Sequence, residues 1–222
     1  MARKWRIPFT QVHLGRFLFL LISIVLLFVL RPFLEGYIGI NILLDIFFSF
    51  ILFSGIYAVS QRKYQFIIAL LIALPPFALL WLTEFVDSPF LILVRNSFMI
   101  LFYGYIVIII LSHIFREKEV NADLIMGAVC VYFFIGLLWG FVFSVLGSLQ
   151  PGSFQMAQGQ GAGVINFMYY SFVTQTTLGY GDITPITAPA RSLSLLEAVM
   201  GQLYLAVLIA RLVGMHIAQS SR

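Results

Sequence analysis

Long apolar runs alternate with short polar breaks along this chain. A run of roughly 20 mostly apolar residues can cross a bilayer as a helix. Six runs are candidates: about 17–34, 38–60, 66–82, 89–115, 124–149 and 190–215. One further apolar stretch, Val164 to Val173, is too short to cross, and the short helical candidate it opens runs to Gln175. As a helix it measures roughly 18 Å, about half a bilayer. Both neighbouring spans have their near ends on one side, so the short helix must dip in and return. The pattern predicts an all-α membrane protein with six transmembrane helices plus a re-entrant helix and loop. It divides into a segment 1–16, a four-helix domain 17–115, a linker 116–123 and a last unit 124–222.

Some details refine the spans. Arg16 and Arg31 bracket a short first span that resembles a signal-peptide core. No small-residue cleavage site follows, and snorkelling arginines let the segment cross, so it reads as an uncleaved helix. Pro75 and Pro76 should break or kink the third span. Gly136 and Gly140 form a Gly-x-x-x-Gly face in the fifth, suited to close helix contact.

Composition narrows the class. Hydrophobic residues make up 61% of the 222 and charged residues only 10%. A soluble domain carries about 25% charged residues. An ordinary soluble enzyme, a disordered regulator and a secreted disulfide scaffold are thereby excluded. Cys130, the single cysteine, has no intrachain partner. The net charge of +4 would suggest nucleic acid only if the basic residues clustered on one water-facing surface. They are spread over several loops instead, which excludes that partner.

Their placement sets orientation, because cytoplasmic loops collect Lys and Arg. With the N-terminus inside, all of the 13 except Arg31, Arg95 and Arg191 lie inside. The expectation is a multi-pass plasma-membrane protein, surrounded by lipid, with both termini cytoplasmic. Asp45 and Arg95 fall at similar depths in the second and fourth spans, about 9–10 Å in. They form a candidate intramembrane pair, since buried opposite charges seek one another.

The connection after the fifth span, 147–163, is glycine-rich and uncharged. The short helix follows it, then Thr176-Thr177-Leu178-Gly179-Tyr180-Gly181-Asp182. Non-helical backbone at membrane depth is tolerated only inside protein or beside water. Glycine-rich backbone there makes sense beside a dehydrated cation. Gly179 and Gly181 permit angles that point successive carbonyls the same way. Those oxygens can replace a hydration shell.

Thr174-Gln175-Thr176-Thr177-Leu178-Gly179-Tyr180-Gly181-Asp182 resembles the selectivity filter of the potassium channel family. The resemblance covers the last hundred or so residues: outer helix, pore helix, filter and inner helix. It implies that K+ is held by the carbonyls of Thr177, Leu178, Gly179 and Tyr180 and by the Thr177 hydroxyl, with Gly181 completing the strand. Leu178 stands where the family more often has Val or Ile. Thr176 and Asp182 would support the filter, and Tyr180 would brace it against Tyr169 or Tyr170. Some members place a carboxylate in the pore helix opposite the filter aspartate. Val173 occupies that position, so Asp182 lacks that partner.

A chain with one such loop must assemble as a homotetramer to complete a four-loop filter. The resemblance also gives roles to the last span. Gly201 is a hinge or a close-packing site. Gln202, Leu205 and Ile209 would face a central cavity. Glu197 would bind cations there or hydrogen-bond behind the filter, and its position closer to the filter favours the second. The fourth span carries Arg95 and then no basic residue until His113 and Arg116. Steep voltage sensing needs about three to four gating charges per subunit. The expectation is passive potassium conduction without strong voltage gating, with no enzymatic step and no cofactor. A weakly selective cation channel and a non-conducting regulatory or structural membrane subunit are the alternatives.

Overall fold

In a computed structural model, residues 16–34, 40–59, 63–86, 88–117, 119–156, 161 and 163–220 are described. They form seven helices, α1 (Arg16–Leu34), α2 (Ile40–Val59), α3 (Lys63–Phe85), α4 (Pro89–Arg116), α5 (Ala122–Leu149), α6 (Val164–Gln175) and α7 (Ala188–Ser220). Two short strands, β1 (Phe154–Gln155) and β2 (Thr184–Pro185), pair antiparallel, Phe154 opposite Pro185. Among the described residues, α3, α4, α5 and α7 are long and apolar enough to cross a membrane.

Local chemistry explains several boundaries. Pro89 opens α4, where its missing N–H costs nothing because the first turn has no partner for it. Asn121 caps α5 by accepting from the Leu124 N–H at 2.8 Å. The helix α3 runs through Pro75 and Pro76 without interruption. Of the expected break or kink, the break does not occur, and the helix is continuous across both residues. The two prolines remove two N–H donors near the helix middle, and the remaining ladder on either side carries the helix across.

Helix α5 is the centre of the packing. It lies against α4, α6, α1 and α7. Its buried residues include Phe134, Phe141 and Phe143, and Tyr103 of α4 stacks on Phe141 at 5.7 Å. The polar Asn96 of α4 is fully buried and donates to Ser144 of α5 at 3.1 Å, so both side chains are satisfied. Arg95, one residue earlier, donates to Thr83 of α3 at 2.9 Å.

The glycine face of α5 receives α6. A Cβ on Gly136 would lie 2.6 Å from Gln175 Oε1 and from the Phe172 ring. On Gly140 it would lie 2.8 Å from the Met168 side chain, and on Gly147 2.8 Å from the Phe167 ring. Hydrogen at these positions lets α6 lie directly on the α5 backbone.

Candidate functional site

The residues at stake are the segment Thr176–Asp182 and whatever holds it. Helix α6 ends at Gln175, and backbone bonds fold the next residues back onto it. Thr177 N donates to Thr174 O at 3.0 Å and Leu178 N to Val173 O at 2.9 Å. Gly179 N reaches the same Val173 carbonyl at 3.3 Å. Thr176 Oγ1 donates to Phe172 O at 2.6 Å. These bonds use carbonyls that a helix end otherwise leaves unpaired.

Beyond this anchor the backbone alternates. Thr177, Gly179 and Gly181 have φ of 59°, 60° and 79°, with Leu178 and Tyr180 on the negative side between them. Thr177 is the one non-glycine residue with positive φ among the described residues. Left-handed φ is uncommon for a β-branched residue and costs about 1–3 kcal/mol. The segment is also exposed from Thr176 through Gly181, Leu178 at 55% and Tyr180 at 66%. Strained backbone carrying exposed large side chains such as Leu178 and Tyr180 is unusual unless something outside the single chain covers it.

The support behind the segment is polar and largely buried. Gln175 is fully buried, and its Nε2 donates to Tyr132 O of α5 at 2.9 Å. Gly201 of α7 lies against the Gln175 carbonyl, where a Cβ would come within 2.7 Å. Helix α7 continues through Gly201 without a break. Gln202, beside it, is exposed and donates to Gln175 O at 3.4 Å. Leu205 is half-buried, and Ile209 is exposed.

Ser171 of α6 joins three helices. Its Oγ lies 2.7 Å from Gly136 O of α5 and hydrogen-bonds the Glu197 carboxyl of α7. Glu197 is fully buried there. Tyr170, the neighbour on α6, meets Ser194 of α7 at 2.6 Å, and Ser194 in turn donates to Ala190 O at 2.7 Å. That leaves the Tyr170 hydroxyl as the donor of the first bond.

The outer end of the segment is tied down separately. Tyr169 donates to Asp182 Oδ2 at 2.7 Å, and Ile183 N to Asp182 Oδ1 at 3.1 Å. The bond to Asp182 is the main cause that pushes the Tyr169 hydroxyl up to about 12. The sequence paired Tyr169 or Tyr170 with Tyr180, whereas their partners in the single chain are Asp182 and Ser194 and Tyr180 is exposed. Asp182, expected to lack a partner at Val173, finds one in Tyr169, about one turn earlier on α6.

Three features here escape sequence reasoning. Phe154 of β1 inserts among Phe143, Phe167 and Tyr170, with ring centroids 5.6, 5.0 and 5.5 Å away. Its signal was that it is the one aromatic residue in an otherwise small and polar connection. Ser171 and Ser194 bridge helices without any pattern to mark them. Arg211 of α7 donates to Ile114 O at 3.0 Å and Glu117 O at 3.1 Å and so caps the end of α4. The side chain of Asp45 lies outside the described residues, so the expected Asp45–Arg95 pair lies there too. Arg95 bonds Thr83 and Asn96.

Residues 128–217 match a family model described as an ion channel. The match runs from α5 through α6 and the Thr176–Asp182 segment into α7. It supports an ion channel family and points to transport rather than catalysis. With the four long apolar helices it places the chain among membrane proteins. No curated protein matches the chain by sequence.

Proposed function

We propose that the chain is one subunit of a homotetrameric, potassium-selective channel. K+ passes down its electrochemical gradient between four copies of Thr177–Gly181. The ligands are the carbonyls of Thr177, Leu178, Gly179 and Tyr180 and the Thr177 hydroxyl. The observation that carries this reading is the alternation of φ at Thr177, Gly179 and Gly181 in a segment exposed on the single chain. Alternating handedness turns successive carbonyls onto one side, where a dehydrated cation replaces their lost partners. Closing the ring around an axis covers the exposed segment and the apolar face of α7 in one step.

The twelve-residue α6 serves the same end. As a re-entrant helix it aims its C-terminus at the membrane centre, and that end carries roughly half a negative charge. A cation waiting below the filter is stabilised by four such ends. Tyr169 and Asp182 hold the outer mouth, and Gln202 borders the cavity. One arginine, Arg95, cannot supply steep voltage sensing across α4, so the four helices α1 to α4 act as a scaffold rather than a voltage sensor. Six helices cross the membrane, with both termini on the cytoplasmic side of the plasma membrane.

Flux into liposomes containing the purified chain tests the reading. Potassium flux that barium blocks, with sodium flux absent, supports it. Equal sodium and potassium flux points to a weakly selective cation channel. No flux of either ion points to a non-conducting subunit.

A further inference from the structure

Ser171 presents a counting problem. Its hydroxyl has one proton, yet its oxygen sits against two others, Gly136 O at 2.7 Å and Glu197 Oε1. The Gly136 carbonyl can only accept. If the Ser171 proton goes to Gly136 O, the contact with Glu197 needs a proton from the glutamate. If it goes to a carboxylate, two lone-pair oxygens are left in close contact at Gly136.

The surroundings decide between the two. Glu197 is fully buried, and its second oxygen, Oε2, has no hydrogen-bond partner among the described residues. The ionisable groups that face it are the phenols Tyr132 of α5 and Tyr170 of α6, both uncharged when protonated. No ion pair to Glu197 forms among the described residues. An ionised carboxylate would be buried with one oxygen orphaned and no counter-charge, the costly case. In a carboxylic acid Oε1–H is the donor and Oε2 is a carbonyl oxygen, which tolerates the lack of a partner better.

We infer that Glu197 is a neutral carboxylic acid that donates to Ser171, which donates to Gly136, so that one proton relay fastens α7, α6 and α5 behind the filter. Glu197 is then a positioning residue and no cation site. It acts on the ion path through α6, whose C-terminal residue Gln175 leads directly into Thr176. The role within conduction rests on the channel reading above; the protonation state does not.

The test uses the full-length chain in liposomes with wild type, Glu197→Gln, Glu197→Ala and Ser171→Ala. A glutamine amide can donate where the acid did, and its oxygen takes the place of the orphaned Oε2. Glu197→Gln should therefore keep potassium flux within about twofold of wild type. Glu197→Ala and Ser171→Ala each lose a buried hydrogen bond and should reduce flux about tenfold or more. Infrared spectra of chain labelled with 13C-glutamate supply a readout that needs no variant to fold well. Wild type should show a carboxylic-acid C=O band at neutral pH that disappears in Glu197→Gln.

Absence of that band in wild type, or Glu197→Gln flux as low as that of Glu197→Ala, overturns the inference. So does wild-type flux in Ser171→Ala. Absence of flux in wild type overturns the channel reading instead, and the infrared band still decides the state of Glu197.

Discussion

Gly201→Ala tests how the last helix meets the residues before the filter. The substitution adds one methyl group. Its nearest neighbours would be the Gln175 carbonyl oxygen at 2.7 Å and Gln175 Cγ at 2.8 Å. The carbonyl is backbone and cannot swing aside, so α6 and α7 must separate by about 0.7 Å to reach ordinary contact. Overpacking of this kind costs about 1–3 kcal/mol. Replacing glycine by alanine inside a helix returns about 0.5–1 kcal/mol. The clash is therefore the larger effect across most of its range. Gly214 supplies the internal control on the same helix, since a Cβ there meets nothing within 4 Å. Gly201→Ala should lower the thermal melting temperature of the purified chain and reduce potassium flux. Gly214→Ala should hold or raise the melting temperature. If Gly201→Ala melts at or above wild type while only its gating shifts, the residue is a hinge and the packing argument fails.

Three further substitutions probe other parts of the same structure. Gly179→Ala places a Cβ at φ 60° and strains the backbone by about 1–2 kcal/mol; potassium flux should be lost while far-ultraviolet circular dichroism stays near wild type. Phe154→Ala empties the space between α5 and α6 and should destabilise the chain by about 3–5 kcal/mol, read as an earlier denaturant midpoint. Tyr169→Phe removes the donor to Asp182 and should make flux decay faster during sustained conduction. Because the hydroxyl is raised to about 12, the bond is intact below pH 10 and lost only as pH rises through about 12. The wild-type to Tyr169→Phe difference should therefore be equal at pH 7 and pH 9, and a difference that vanishes by pH 9 contradicts the assignment.

Much of the architecture is legible along the chain, and each part has a reason. Helix α6 occupies Val164 to Gln175, as the short apolar run there predicts, because such a run is a local signal. The α4 and α5 boundaries fall within about two residues of expectation for the same reason, helped by Pro89 and Asn121. Pro75 and Pro76 announce a break or a kink, and the helix is continuous across them, because a missing donor weakens a helix without deciding whether its neighbours hold it. The glycines of α5 announced a packing face but gave no hint that its occupant is α6 rather than another long helix.

The sequence by itself determined the class of molecule, since too few charges for a watery surface and long apolar runs are properties of composition and order. It also singled out Thr176–Asp182, whose glycines are legible because positive φ is a local demand. Only the tertiary structure decided what each polar group inside the bundle touches. Asp182 meets Tyr169, Tyr170 meets Ser194, and Glu197 meets Ser171 across 26 residues of chain. Hydrogen bonds between helices depend on rotation and depth to a fraction of an ångström, and apolar periodicity fixes neither. Glu197 has two readings along the sequence, a cation site or a hydrogen bond behind the filter, and the packed structure buries it against Ser171 of α6, where Gly136 and Gly201 allow the close approach.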